Sequence, residues 1–107
     1  MDEQRFRHLA DATFRRILDG YEHIDADDAD VDTAGNTIHV TFGNGARCVV
    51  NTQAATRQIW LAGGQSGWHF SYDEGSSRWL HDKGTGDELF DVLARLTKGA
   101  LGFAPAF

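Results

Sequence analysis

The chain has 107 residues, 41% of them hydrophobic, with a formal net charge of -6 and a pI of about 5.1. That length suits one domain, residues 1–107, with enough apolar content for a core, so global disorder is excluded. The acid excess argues against nucleic acid and against an anionic membrane surface as partners, and a single cysteine, Cys48, leaves neither an intrachain disulfide nor a cysteine-rich zinc site.

The N-terminal segment MDEQRFRHLADATF is acidic and amphipathic, unlike a secretory signal or a transit peptide. With no stretch apolar enough to span a bilayer and one cysteine suited to a reducing compartment, the expected location is a cytoplasm. Phe6, Leu9, Ala10, Thr13, Phe14, Ile17, Leu18, Tyr21 and Ile24 recur at a 3.6 period and predict a first helix. Asp2 and Glu3 suit its N-terminus. On the opposite face Arg15 stands four residues from both Asp11 and Asp19 and can pair with either.

The run from Asp25 to Asp32 reads as a polar loop. Thr37 to Phe42 alternates strictly, with Ile38, Val40 and Phe42 on one face of a strand. Gly43-Asn44-Gly45 is a hairpin turn, and Ala46 to Asn51 is the returning strand. Gln58 to Ala62, Trp68 to Tyr72 and Arg78 to Asp82 follow as strands, separated by turns at 63–67 and 73–77. Thr85-Gly86-Asp87-Glu88 fits a capping box for a last helix, which Leu89, Phe90, Val92, Leu93 and Leu96 make amphipathic and Gly99 stops. The tail from Ala100 to Phe107 is short and apolar. Helix, antiparallel meander, helix predicts an α+β two-layer sandwich, with the N- and C-terminal helices on one face of the sheet. Trp60 has the opposite parity to Ile59 and Leu61, so it belongs to the open face, where an exposed Trp is a common binding hot spot.

The acids are not spread evenly. Asp19, Glu22, Asp25, Asp27, Asp28, Asp30 and Asp32 lie between Ile17 and Asp32 with no Lys or Arg among them, and no acid occurs from Thr33 to Tyr72. Crowded carboxylates repel one another, and they are also ligands for hard cations and a target for a basic protein surface. The Gly and closing Glu of an EF-hand are missing, so such a site is shallow and rich in water; the plain alternative is a solubilising surface. His8 and His23 can join the patch, whereas His39, His69 and His81 show no metal spacing and read as strand surface or core. Cys48 reads as a strand residue without the basic surroundings of a nucleophile. Neither a phosphate loop nor a catalytic triad is present.

Asn51-Thr52-Gln53, then Gln58-Ile59-Trp60-Leu61-Ala62, then Gly67-Trp68-His69-Phe70 resemble the signature of the frataxin family. The opening Phe6-x-x-Leu9-Ala10-Asp11, the 41–45 hairpin and the acid cluster at the end of the first helix are similar to its bacterial members. The resemblance implies a small iron-binding protein of iron–sulfur cluster assembly, not an enzyme. It implies weak Fe²⁺ or Fe³⁺ binding, other divalent cations included, by Asp19, Glu22, Asp25, Asp27, Asp28 and Asp30; His23, which departs from the family pattern, can add an imidazole ligand. It further implies that Asp11, Asp19, Glu22, Asp25 and Asp32 dock on a cysteine desulfurase, and that Asn51, Gln53, Gln58 and Trp60 meet the desulfurase–scaffold complex. The expected state is a monomer, with iron-dependent oligomers as a further form.

Departures from the bacterial pattern are Leu18, Gly20 and His23, where relatives are more polar or acidic, and Ala55, where relatives often have Pro. Gly20 weakens the last helical turn by up to about 1 kcal/mol relative to Ala. The catalytic alternative, a ferroxidase, wants buried carboxylate–histidine ligands such as Glu-x-x-His, and the chain has none.

Overall fold

In the computed structural model, which describes all 107 residues, the N-terminal stripe closes into helix α1, Glu3–Tyr21. Asp2 caps it, its carboxylate accepting from the Arg5 N–H at 2.7 Å. Phe6, Ala10, Thr13, Ile17 and Tyr21, spaced by three or four residues, are its buried face. Six strands follow: β1 Ala29–Ala34, β2 Thr37–Phe42, β3 Arg47–Gln53, β4 Gln58–Gly63, β5 Ser66–Asp73 and β6 Arg78–His81. They pair antiparallel in chain order. Helix α2, Leu89–Leu101, closes the chain. Ile38, Val40, Phe42, Val50, Ile59, Leu61 and Phe70 point to one side of the sheet and form a single core with both helices. The α+β sandwich expected from the sequence is what the chain adopts.

Buried polar groups on the helices are matched. The Thr13 hydroxyl donates to the Leu9 carbonyl at 2.8 Å and accepts from the Trp79 indole N–H at 2.9 Å. Thr97 donates to the Leu93 carbonyl at 2.7 Å, and the Tyr21 hydroxyl lies 2.8 Å from its oxygen. Each bond contributes about 1 kcal/mol, and leaving a partner unpaired costs more. Burial pushes the Tyr21 phenol up to about 12 and the Cys48 thiol up to about 11, so Cys48 is an inert strand residue as expected.

Four local readings need correction. Residues 29–34 are not loop but strand β1, paired along its length with β2 in a register that matches Asp30 with Thr41 and Asp32 with His39. Helix α2 is capped by Glu88, not by Thr85: the Glu88 carboxylate accepts from the Phe90 and Asp91 N–H groups, while the Thr85 hydroxyl donates to Asp87. Gly99 lies inside α2, and Gly102, at φ 85°, makes the left-handed stop. Arg15 forms an ion pair with neither Asp11 nor Asp19; Arg5–Glu74 and Arg7–Glu3 are the pairs α1 makes.

The apolar tail packs back on α1. The Phe107 ring meets Tyr21 edge-on at 5.4 Å and Phe90 at 5.6 Å, and its carbonyl accepts from the Arg16 side chain at 2.8 Å. A Cβ at position 20 would stand 2.3 Å from that ring. Gly20 is therefore the seat of Phe107, which accounts for a poor helix former in the last turn of α1.

Candidate functional site

The acids predicted as ligands occupy one end of the sandwich, on three successive pieces of chain. Asp19 and Glu22 are exposed at the C-terminal end of α1, one helical turn apart, with Glu22 as the C-cap. The last turn holds no basic residue, so these charges face the negative end of the helix dipole. Exposed His23 follows. Asp25, Asp27 and Asp28, all exposed, form a tight turn: the Asp25 carboxylate accepts the Asp27 N–H at 2.8 Å, and its carbonyl accepts from Asp28 and Ala29. The β2–β3 hairpin leans on this turn through the Gly43 N–H and the Asp28 carbonyl, 2.9 Å apart. A Cβ at Gly43 would lie 2.7 Å from the Asp27 carbonyl. Asp30 and Asp32 sit on β1, exposed on the sheet face away from the helices. Asp11 is exposed earlier on α1, and Asp11 also borders a small hollow with Thr52 and Ala54.

No ion pair reaches any of these acids, and residues 17–46 contain no Lys or Arg. No three His, Cys, Asp or Glu side chains converge as a ready-made metal cage. The end of the sandwich is thus an open field of hard oxygen donors, suited to hydrated cations or to a basic surface and not to a closed coordination sphere. Asp19 and His23 border a hollow beside Phe107 that Arg15 and Arg16 also line.

The second predicted group lies on the open sheet face. Asn51 on β3, Trp60 on β4 and His69 on β5 are cross-strand neighbours in one row; Gln53 and Gln58 face each other in the next. Trp60 is half-buried, less exposed than its parity alone suggests, because its indole stacks on His69 at 4.1 Å and its N–H donates to the Gln58 carboxamide at 3.0 Å. Gln58 also donates to Asp82 at 3.0 Å, whose carboxylate stands 3.8 Å from the His69 ring. The Asn51 side-chain oxygen is buried without a partner. The sequence reads His69 as strand surface or core and does not reveal its contact with Trp60. The signal lies in the register, which the Gly64-Gln65 turn sets by pairing Gly63 with Ser66.

The profile of the frataxin-like domain matches residues 1–103. A protein of Pseudomonas aeruginosa named iron-sulfur cluster assembly protein CyaY is 39% identical over 97 residues, 91% of this chain and 88% of the relative. One of the same name from Azotobacter vinelandii is 36% identical over 102 residues, 95% and 91% of the two chains. The solved frataxin of Psychromonas ingrahamii superimposes with a TM-score of 0.85 at 28% identity, covering 98% of this chain and 96% of that one.

Proposed function

The chain belongs to the frataxin-like family, and from that premise we propose that it serves iron–sulfur cluster assembly by binding iron weakly at its acidic end and docking the same surface on a basic cysteine desulfurase. The observation that carries this reading is the unpaired field itself: seven carboxylates from Asp19 to Asp32, no Lys or Arg within residues 17–46, and no ion pair to any of them. A fold that keeps uncompensated like charges on a helix end and edge strand gives up stability for it.

Iron is cargo in this scheme. The donors are hard carboxylate oxygens, with the His23 imidazole next in sequence to Glu22 and His39 across from Asp32, a set that suits Fe²⁺ and Fe³⁺ and tolerates other divalent cations. Because no three donors are preformed into a cage, a bound ion keeps most of its water and leaves easily, as cargo must. Exchange at the surface asks for no buried carboxylate–histidine pair, so the protein acts as a carrier and regulator, not a ferroxidase. Docking is electrostatic, and salt weakens it, since exposed charges are screened beyond roughly 8 Å at physiological ionic strength. Asn51, Gln53, Gln58 and Trp60 supply a separate contact for the desulfurase–scaffold complex, the indole being held in place before the partner arrives. The working protein is a cytoplasmic monomer, and iron bridging between acidic ends gives its oligomers.

An anaerobic Fe²⁺ titration read by ¹⁵N-resolved NMR tests the metal site. Signal loss confined to Asp19 through Asp32 is expected. No localised change at millimolar iron would leave a metal-free acidic docking module in its place.

A further inference from the structure

Six strands in an open sheet leave two edges, and the molecule treats them differently. The β6 edge is short and covered: its four residues, Arg78–His81, meet the chain before α2, where the His81 N–H donates to the Asp87 carbonyl at 2.9 Å and Leu80 bridges Glu88. The β1 edge runs for six residues in unbroken register with β2, without a bulge, proline or lysine. Natural edges are usually blunted by such devices, because a free row of N–H and C=O groups is a template for another strand.

The parity of that row follows from one bond. The Gly43 N–H donates to the Asp28 carbonyl, which makes 28 and 43 a hydrogen-bonded pair. Such pairs alternate in an antiparallel ladder. Asp30, Asp32 and Ala34 therefore direct their backbone groups to Thr41, His39 and Thr37, while Val31 and Thr33 direct theirs outward. The Ala29 N–H is taken by the Asp25 carbonyl at 3.0 Å, and no turn, loop or cap hydrogen bond reaches Val31 or Thr33.

We propose that the β1 edge accepts a basic, extended segment of the partner protein as a seventh strand, hydrogen-bonded to Val31 and Thr33. The proposal rests on the docking reading above and gives it a backbone geometry. Charge selects the occupant. A second copy of β1 would set exposed Asp30 and Asp32 against their own counterparts, which like charge disfavours. A partner strand with Lys or Arg at alternate positions places them beside Asp30 and Asp32 on the open face. Its intervening residues then lie on the helix side, next to Val31 and Thr33. The acids thus discriminate between strands, and the backbone supplies the register.

The test uses the full chain and the holo cysteine desulfurase. On binding, amide exchange at Val31 and Thr33 slows by about tenfold or more. T33P removes an outward N–H that the chain itself does not use, a place where edge strands tolerate proline, and weakens binding about tenfold. Should the variant fail to fold, exchange in the unmodified chain decides. Normal docking with unchanged exchange at both amides would overturn strand addition and leave acidic docking standing. No docking by the unmodified chain would overturn both.

Discussion

At its N-terminal end, helix α1 has its neighbouring carboxylates employed: Asp2 caps the first turn, Glu3 pairs with Arg7 at 3.2 Å, and Glu74 reaches over from the β5–β6 turn to clamp Arg5 with both oxygens. That clamp holds the Glu74 carboxyl below its ordinary value and the Arg5 guanidinium above. At its C-terminal end, Asp19 and Glu22 oppose the helix dipole, nothing basic stands in the last turn, and five more acids follow within ten residues without an ion pair. One helix thus obeys opposite electrostatic rules at its two ends. Acids at the first end have partners in the fold; those at the second have none, the contrast on which the proposed role of the acidic end rests.

Changes along the helix sharpen the contrast. The largest effect belongs to the middle, where charge plays no part: Ile17 is fully buried, and Ile17→Ala should lower unfolding stability by about 3 kcal/mol in a urea melt while leaving iron binding in place. At the employed end, Asp2→Ala should cost about 1 kcal/mol by removing the cap. At the opposite end the seat of Phe107 allows a change of sign. Gly20→Ala should destabilise the chain as it stands, because the new Cβ displaces the ring. In a Phe107→Ala background the same substitution should stabilise by up to about 1 kcal/mol, since Ala is the better helix former. A double-mutant cycle reads the difference.

Titration gives the smallest effect at neutral pH and a growing one above it. Tyr21 rises from 10.0 to about 12 and Cys48 from 9.0 to about 11 on folding. Both groups are neutral when protonated, so the folded state binds their protons more tightly than the unfolded chain does. Stability is then intact below pH 9 and falls as pH rises through 9 to 12. Cys48→Ala should move the start of that loss toward pH 10, the ordinary tyrosine value, in pH-dependent thermal melts.

Much of this is legible in the sequence wherever a period is long and uninterrupted. The helix stripe from Phe6 to Tyr21 and the alternation of Ile38, Val40 and Phe42 settle the two layers, and the Trp60 parity identifies the open face. Strand β1 is hidden because Asp30 and Asp32 are poor strand formers and only Ala29 and Val31 turn toward the core. The cue lies in Gly35-Asn36, a two-residue turn with Gly35 at φ 58°. The α2 cap is misread because Thr85 spends its hydroxyl on Asp87. As for the site, the sequence reveals which acids cluster, but not that they spread over a helix end, a turn and an edge strand without converging on one ion. That depends on pairing partners far along the chain. The same is true of His69 beneath Trp60.

Whether the acids at the far end of α1 are kept for function is decided by the thermal stability of the chain carrying D19N, E22Q, D25N and D27N together, measured at low salt beside its Fe²⁺ titration. The D25N change retains a side-chain oxygen to accept the N–H of residue 27, so the turn survives. Relief of repulsion should give a higher Tm, with weakened iron binding and desulfurase docking. A lower Tm would show that these acids, like those at the other end of the helix, are structural, and would contradict a functional role for them.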